Sequence, residues 1–346
     1  LYGGCCAVHQ PSNEVYEADV VVYGDAAVGV SAAVQAARMG KSVILISQYG
    51  HLGGMTSSGL GWTDIGNKQI LGGISREFYH RVYLHYQNDE VWVQQTFEQF
   101  PKKGQGAATF GDETQLGSVF EPKVAEMIFD QMVKEAGVKV IYGRLDLDDG
   151  ANMDGQRITK IHLEDGRAIV GRMFIDGSYE GDLLAAAGVT FTVGREGNDE
   201  YDETVNGITL PVNSNNITKP VDPYVVEGDP GSGLLPGVNL YNEADVGKGD
   251  HRMQAYCYRT CLTNAPENMV PITKPEGYDE ATYEILFRAL VAGYRGQWGA
   301  FYKFSPMPNK KTDSNNNGGI SMNKIGNNYS TLPPDHPDYW DWTTLS

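Results

Sequence analysis

Residues 19–64 contain the pattern that most restricts how this chain can fold. An apolar, β-branched run at 19–23 has the length of a buried strand, and small residues follow it at 24–29. A helix is predicted from about Ala27 to Met39, where Gly40 ends it, and a second strand is predicted from Ser42 to Ile46. A strand, a glycine turn, a helix and a strand in this order predict one βαβ half of a dinucleotide-binding sheet.

The turn carries the pattern GxAxxG, with alanine at the second glycine position. Small residues there let the backbone approach a pyrophosphate, which would face the N-terminal N–H groups of the helix. The predicted pyrophosphate contacts are Gly24, Ala26, Ala27 and Gly29. A tight turn with a purely structural purpose is the alternative, and the strand–helix–strand context favours nucleotide binding over it.

One expected feature of such a site is missing. An acidic residue normally ends the second strand and hydrogen-bonds the ribose hydroxyls. Ser47 and Gln48 stand at that place, and no Asp or Glu occurs between Asp25 and Asp64. We therefore expect that Ser47 or Gln48 makes a neutral hydrogen bond to the adenosine ribose, or else that the adenosine half of the cofactor is bound more weakly. No Arg follows closely, so a 2′-phosphate pocket is not indicated.

A second glycine-rich loop at 51–59 distinguishes between cofactors, because a nicotinamide enzyme needs no such loop directly after its second strand. Here the sequence resembles the FAD-dependent oxidoreductases of the glutathione-reductase-like superfamily, and in particular a branch of secreted or polysaccharide-associated bacterial and fungal members. The resemblance covers roughly residues 18–330. Four motifs carry it: HLGGMTSSGLGWTD at 51–64, FEP at 120–122, FIDGSYEGDLLAAAG at 174–188 and TDSNNNG at 312–318.

The resemblance implies FAD as the cofactor and assigns two groups of contacts to it. The loop residues Gly53, Gly54, Met55 and Thr56 would lie along the FAD pyrophosphate and ribityl chain. In the third motif, a strand ends in an acid where the chain passes close to the nucleotide, which implies contacts from Asp176, Gly177, Gly181 and Asp182. The alternative for the third motif is a strand–turn–helix whose acidic residues complement a helix N-terminus.

The predicted fold class is α/β, a Rossmann-type FAD-binding domain with an inserted α+β substrate domain. Four parts are expected: an N-terminal tail at 1–17, the FAD-binding domain at 18–188, the substrate domain at 189–330 and the start of a truncated C-terminal segment at 331–346. Helices are predicted at 75–87, 122–136 and 283–292, strands at 138–142 and 254–261, a hairpin at 157–163 and 167–170, a loop at 88–118 and a solvated turn at 146–154.

Composition restricts the partners. The formal net charge of −17 disfavours nucleic acid and anionic membrane surfaces, and no apolar run is long enough to cross a bilayer.

The first residue is Leu, and two glycosylation sequons stand at 216–218 and 328–330. An even number of cysteines is compatible with disulfides. We therefore expect a secreted protein in which Cys5 and Cys6 are bridged to Cys257, Cys261 or both.

Catalytic and substrate residues are the least determined. For alcohol oxidation by a flavin the base is usually His, and His51 stands beside the flavin loop; a supporting histidine in that turn is the alternative. Arg259 is a candidate clamp for an anion, or else a surface ion-pair residue. The resemblance implies that the motif at 312–318 is a loop lining the active site, where Asn side chains can bond sugar hydroxyls, and the predicted substrate contacts are Tyr256, Asp313, Asn315 and Asn316. The last three belong to a run that resembles half of an EF-hand loop, but Lys324 at its twelfth position argues against a metal site.

The expected reaction is oxidation of a sugar, sugar acid or other polyhydroxylated small molecule by hydride transfer to flavin. One alternative is a flavin-dependent reductase of an unsaturated substrate, which would need an apolar groove where 189–330 is polar. The other is a non-catalytic secreted protein on a truncated flavin fold. In relatives, later sequence completes the flavin-ring pocket, so we also expect that a missing C-terminal segment or a second polypeptide supplies it.

Overall fold

The computed structural model describes residues 14–103, 108–209, 219–238, 242–250, 252, 259–294 and 302–316. Contacts between residues divide the chain into two compact units. The first unit contains the chain up to Phe191 together with Pro306–Lys311, and the second contains Thr192–Ser305 and Thr312–Ser346. The second unit thus begins four residues after Gly188, the last residue of the predicted FAD-binding domain.

The described residues form nine strands and six α-helices. The strands are β1 (Val15–Tyr23), β2 (Val43–Ser47), β3 (Lys139–Tyr142), β4 (Ala151–Asp154), β5 (Arg157–His162), β6 (Ala168–Asp176), β7 (Thr260–Thr263), β8 (Tyr302–Met307) and β9 (Lys311–Asn316). The helices are α1 (Ala27–Arg38), α2 (Met55–Ser58), α3 (Gly73–Tyr86), α4 (Pro122–Glu135), α5 (Asp182–Ala186) and α6 (Glu284–Val291). Short 3₁₀ turns lie at Lys68–Ile70, Asp89–Val91, Phe97–Gln99, Pro230–Ser232, Glu243–Asp245, Pro266–Asn268 and Glu280–Tyr283.

The first unit is built on a six-stranded sheet with the order β3-β2-β1-β6-β5-β4. Strands β3, β2, β1 and β6 run parallel, whereas β5 and β4 add an antiparallel edge. The parallel strands therefore end at one common edge, and the chain enters the predicted cofactor loops from that edge. This arrangement agrees with the predicted Rossmann-type order.

Both faces of the central strands are buried, which explains their continuous apolar sequence. In β1, Val20 and Val22 belong to one core cluster, and Val21 and Tyr23 belong to another on the opposite face. The alternating side chains of β2 divide between the same two clusters. A strand that packs on both faces needs apolar residues at successive positions, and 19–23 and 42–46 show that pattern.

Helices α1, α3 and α4 belong to the first of these clusters. Pro122 starts α4, and Val124, Ile128 and Met132 are buried at i, i+4 spacing, as the sequence predicts. The rings of Phe78 in α3 and Phe129 in α4 are stacked with centroids 4.6 Å apart. The Phe129 ring also lies against Gly53, so this packing holds the middle of α4 beside the loop that follows β2.

The observed strands correct one prediction and extend another. Residues 168–170 of the predicted hairpin and residues 173–176 lie on a single strand, β6, which pairs antiparallel with β5 and parallel with β1. The predicted solvated turn at 146–154 is wrong over its second half, because Ala151–Asp154 forms β4 and pairs with β5. Strand β4 is only four residues long, so its alternation of Ala, Asn, Met and Asp is too short to predict a strand, and its pairing with β5 decides its conformation.

The segment 306–311 is fixed to the first unit by a buried carboxylate. Glu121 is 1% exposed, and its Oε1 lies 2.5 Å from Nζ of Lys311. Its Oε2 accepts hydrogen bonds from Asn309 Nδ2 at 2.9 Å and from the Tyr86 hydroxyl at 3.2 Å. Two neutral donors and the ammonium groups of Lys311 and, at 3.4 Å, Lys123 therefore satisfy a charge that would otherwise be costly to bury.

In the second unit, β7 and β9 belong to a three-stranded sheet with the order β7-β9-β8. The predicted helix at 283–292 is observed as α6, and its Arg288 donates to the carbonyls of Asp222 and Tyr224. The predicted loop at 312–318 is wrong for its first residues, because 312–316 belong to β9. None of the described helices has the length and apolarity required to cross a membrane.

Candidate FAD-binding site

Three loops meet where the parallel strands end. The N–H of Gly24 donates to Ile46 O at 3.0 Å, and the N–H of Gly177 donates to Tyr23 O at 2.7 Å. The N–H of Gly53 donates to Asp25 O at 2.7 Å, so the second glycine loop is bonded directly to the first. The sequence-predicted segments around Gly24, Ser47, Gly53 and Gly177 are therefore brought together at one edge of the sheet.

The glycines of this edge allow backbone to pack on backbone. A Cβ on Gly24, whose φ is +110°, would lie 2.3 Å from Ser178 N, and one on Gly29 would lie 2.0 Å from Gly24 O. A Cβ on Gly177 would lie 2.8 Å from the Gly29 Cα. Gly29 is thus required by the closure of the turn itself, while Ala26, which precedes α1, and Ala27, its first residue, remain the predicted pyrophosphate contacts.

The N-terminus of α1 is open to a ligand. Ala26 precedes the helix in an extended conformation, no side chain caps the first turn, and that turn contains no acidic residue. The first N–H groups of a 12-residue helix therefore keep their capacity to bind phosphate oxygens. This geometry fits the predicted pyrophosphate contact.

The second glycine loop is bonded to the turn after β6. Gly53 and Gly54 both have positive φ, and the short helix α2 begins at Met55. The N–H of Met55 donates to the Tyr179 hydroxyl at 2.8 Å, and the N–H of Thr56 donates to Gly53 O at 3.1 Å. Tyr179 is a residue of this site that sequence reasoning missed, although it lies within the third motif.

Asp25 is the second missed residue, and it changes the interpretation of Ser47. The Ser47 hydroxyl is fully buried and donates to Asp25 Oδ2 at 2.7 Å, and the N–H of Tyr49 donates to the same oxygen at 3.1 Å. The hydroxyl of Ser47 is thus engaged with Asp25, and the predicted contact from Ser47 to a ribose stays a prediction. A signal existed in the sequence, since Asp25 is a charged residue within a turn of small residues.

Asp176 has a structural role in this turn. Its Oδ1 accepts from the N–H and the hydroxyl of Ser178 at 2.9 and 2.6 Å, and its Oδ2 accepts from the N–H of Leu184 at 3.0 Å. The carboxylate therefore stabilises the turn and accepts a hydrogen bond from a backbone N–H in the first turn of α5. This is the alternative stated for the third motif, and it leaves Asp176 less free for a cofactor than the prediction required.

Gln48 and Asp182 meet Tyr23 beneath this edge. Gln48 Nε2 donates to the Tyr23 hydroxyl at 2.6 Å and lies 3.4 Å from Asp182 Oδ2. Burial, and then the charge of Asp176, raise the pKa of the Asp182 carboxyl. Burial, and then Asp182, raise the pKa of the Glu180 carboxyl, and within the described residues Oε2 of Glu180 and Oδ1 of Asp182 have no hydrogen-bond partner.

His51 lies on the α4 side of the second glycine loop. Its Nδ1 is 2.7 Å from Oε1 of Glu126, and its side chain is 66% exposed. A carboxylate at Nδ1 favours the tautomer with the proton there, which leaves Nε2 as an acceptor. The structure thus gives His51 an orienting partner, and both predicted roles, base and support of the turn, stay predictions.

The predicted substrate residues of the second unit form an ion pair. Arg259 Nη1 lies 2.7 Å from Oδ1 of Asp313, whose side chain is fully buried. The Asp313 carboxylate is thus enclosed and paired with Arg259, and its predicted contact with substrate stays a prediction. Asn315 is half-buried on β9, where Asn316 is the last residue.

Several predictions lie outside the described residues. These are Tyr256, three of the four cysteines, the N-terminal tail before residue 14, residues 331–346 and both sequons. Cys261 is exposed on β7, and the predicted bridges stay a prediction. Within the described ranges, no group of three or more His, Cys, Asp or Glu side chains is placed to hold a metal ion.

Comparison with solved structures gives distant matches. The L-proline dehydrogenase from P. horikoshii is 16% identical with a TM-score of 0.35, over 53% of this chain and 59% of that one. The L-amino acid deaminase from Proteus vulgaris is 18% identical with a TM-score of 0.34, over 54% and 52%. The 3-ketosteroid-delta4-(5alpha)-dehydrogenase from Rhodococcus jostii RHA1 is 18% identical with a TM-score of 0.30, over 49% and 48%. The chain thus spans about half the length of these proteins.

A family model decides the assignment. Among curated proteins no match was found. The model described as FAD dependent oxidoreductase matches residues 19–346, which is nearly the whole chain. This match confirms the predicted cofactor, FAD, and the predicted Rossmann-type FAD-binding fold, which the strand order and the loops at the sheet edge also fit. The chain therefore belongs to the FAD dependent oxidoreductase family.

Proposed function

We propose that the protein oxidises a sugar, sugar acid or other polyhydroxylated small molecule by hydride transfer to FAD. The observation that carries the flavin part is the direct bonding of the two glycine loops, through Gly53 N–H and Asp25 O, beside the uncapped N-terminus of α1. A dinucleotide needs such a continuous edge of backbone N–H groups and small residues. When bound, FAD supplies the two-electron oxidant, and the protein supplies orientation and proton transfer.

The chain offers a defined set of groups to hold this cofactor. The first N–H groups of α1, after Ala26, would hold a pyrophosphate, and the second glycine loop lies beside that turn because the N–H of Gly53 donates to Asp25 O. Gln48 is half-buried at the end of β2 and already donates to Tyr23. These residues bind and orient, and none of them needs to take part in the chemistry.

His51 is the proposed base for the substrate hydroxyl. Alcohol oxidation requires removal of the hydroxyl proton as hydride leaves the carbon, and a histidine oriented by a carboxylate can accept that proton on Nε2. Glu126 provides the carboxylate, 2.7 Å from Nδ1. Glu126→Gln should then lower kcat less than His51→Asn does, because the first change affects orientation and the second removes the base.

Within the proposed substrate class, the ion pair of the second unit favours neutral molecules. The Arg259 guanidinium is paired with the buried carboxylate of Asp313, so its charge is balanced within the protein. A clamp for an anionic substrate needs an uncompensated cation. Neutral sugars and polyols, which bind through amide and hydroxyl groups such as that of Asn315, are therefore the first substrates to test.

The decisive experiment begins with the absorption spectrum of the purified chain. Flavin released by denaturation should be FAD by chromatography, and anaerobic addition of a substrate should bleach the oxidised flavin band. A panel of neutral sugars, sugar acids, amino acids and unsaturated acids distinguishes the classes. Bleaching by sugars or sugar acids supports the proposal, whereas bleaching only by amino acids, or only reoxidation by unsaturated acids, contradicts it.

We also propose that the protein is secreted, with FAD and a small-molecule substrate as its ligands. Two sequons, four cysteines and the acidic composition support this proposal. Protein secreted from a eukaryotic host should lose mass on glycosidase digestion. Non-reducing peptide mapping should show Cys5 or Cys6 linked to Cys257, Cys261 or both, and four reduced thiols would contradict the proposal.

A further inference from the structure

The first glycine turn, which small residues form at 24–29, also contains a buried carboxylate that this pattern of small residues does not explain. Asp25 is 3% exposed and stands between Gly24 and Ala26. Its Oδ2 accepts hydrogen bonds from the Ser47 hydroxyl at 2.7 Å and from the N–H of Tyr49 at 3.1 Å. Both donors belong to the end of β2 and the residues just after it.

This position is where a dinucleotide site normally needs a carboxylate. An acid at the end of the second strand hydrogen-bonds the adenosine ribose in such folds, and that acid is absent here. Ser47 is the last residue of β2, and its hydroxyl lies against the Asp25 carboxylate. A carboxylate is therefore present at the end of β2, although it comes from the turn after β1.

We infer that Asp25 supplies the carboxylate that recognises the adenosine ribose of FAD, and that Ser47 and Tyr49 hold it in place. Within the part of the chain that the structure describes, both hydrogen bonds to this side chain reach Oδ2, which leaves Oδ1 to accept from a ribose hydroxyl. The inference rests on the proposed FAD binding and names a residue for one part of it.

The energetics of burial agree with this role. A buried carboxylate is costly unless its oxygens accept hydrogen bonds, and a ribose hydroxyl on Oδ1 would add a contact to the two that Oδ2 already makes. After burial, the nearby charge of Asp25 raises the pKa of the Tyr179 hydroxyl, which accepts a hydrogen bond from the N–H of Met55 in the second glycine loop.

The first test compares two nucleotides that differ only in the ribose hydroxyls. Titration calorimetry of the flavin-free protein with ADP and with 2′,3′-dideoxy-ADP should show that ADP binds roughly 10- to 100-fold more tightly, the range for a hydrogen bond to a charged group. Asp25→Asn should reduce that ratio to a few-fold. Asp149→Asn, at an exposed acid of the same unit, is the matched control and should keep the wild-type ratio.

A structural role for Asp25 would weaken both nucleotides equally and leave the ratio unchanged. Wild-type protein that does not distinguish the two nucleotides, or Asp25→Asn protein that keeps the wild-type ratio, overturns the inference while FAD binding stands. Protein that binds neither FAD nor ADP overturns both.

The second test moves the carboxylate back to the strand. Ser47→Glu alone should lower FAD affinity at least tenfold, because it places two carboxylates in contact in a buried site. The double variant Asp25→Ala/Ser47→Glu removes that repulsion and should recover FAD binding to within about threefold of wild type, whereas Asp25→Ala alone should not. Equal FAD affinity in Asp25→Ala and the double variant contradicts the inference, and melting temperatures without FAD show whether each variant is folded.

Discussion

The hydroxyl of Tyr179 accepts a hydrogen bond of 2.8 Å from the backbone N–H of Met55, which connects the turn after β6 to the loop after β2. A Cβ on Gly54 would lie 2.3 Å from that hydroxyl, so the neighbouring residue must be glycine for the contact to form. Residues 124 positions apart thus determine the conformation of the second glycine loop.

Tyr179→Phe removes this acceptor and keeps the ring. We expect the free energy of unfolding to fall by about 0.5–1.5 kcal/mol and the Met55 amide to exchange faster with solvent. Chemical denaturation and hydrogen exchange read by mass spectrometry measure the two effects. Tyr201→Phe, at an exposed tyrosine of the second unit, is the control. Unchanged exchange at Met55 in Tyr179→Phe would show that the hydrogen bond does not hold the loop.

Gly29→Ala tests whether the first turn needs glycine for its own closure. The new Cβ would lie 2.0 Å from Gly24 O, which is backbone and cannot move aside as a side chain can. We expect the flavin-free protein to lose about 1–3 kcal/mol or more of stability. Gly66→Ala, where nothing lies within 4 Å of the added Cβ, should change it by less than about 0.5 kcal/mol.

The two outcomes for Gly29→Ala separate two roles of the residue. Denaturation without FAD reports on the turn alone. A variant as stable as wild type that no longer retains FAD would mean that Gly29 serves the approach of the cofactor, which is the role that the glycine pattern first suggested.

The central strands and their helix could be predicted because their sequence is determined locally. Strands buried on both faces require consecutive apolar residues, and Gly40 and Pro122 mark a helix end and a helix start wherever they stand. The predicted α1 and α4 therefore agree with the observed bounds to within one residue. The same reasoning predicted the sheet edge where the cofactor loops meet.

The missed features depend on partners far along the chain. Asp25 and Ser47 are 22 residues apart, and Arg259 and Asp313 are 54 apart. The polar residues of β9 show no strand periodicity, and pairing within its sheet decides their conformation. Sequence therefore indicates which residues are present at the site, but not which of them neutralise one another.

Glu121→Ala tests the attachment of segment 306–311. The change removes the buried carboxylate that Lys311, Asn309 and Tyr86 contact, and it leaves a partly buried ammonium without its main partner. We expect a loss of about 3–5 kcal/mol in the free energy of unfolding. Glu113→Ala, at an exposed glutamate of the same unit, should cost less than about 0.5 kcal/mol, and equal losses in the two variants would contradict the role given to Glu121.

Asp182→Asn should stabilise the flavin-free protein at neutral pH but not at acidic pH. Burial, and then the nearby charge of Asp176, raise the pKa of the Asp182 carboxyl in the folded protein. A carboxyl with a raised pKa binds its proton more tightly when folded, so stability is highest below the unfolded pKa and is lost as the pH rises through the folded pKa. Asparagine carries no charge at any pH, so it avoids that loss and still accepts hydrogen bonds from Gln48 and Tyr23.

Melting temperatures from pH 4 to pH 8 should therefore show Asp182→Asn above wild type at pH 7.5, with the difference shrinking towards pH 4. Asp149→Asn, at an exposed acid, should follow wild type throughout. A melting temperature for Asp182→Asn that stays at or below wild type at pH 7.5 would mean that the ionised carboxylate is stabilised in the fold, contrary to this prediction.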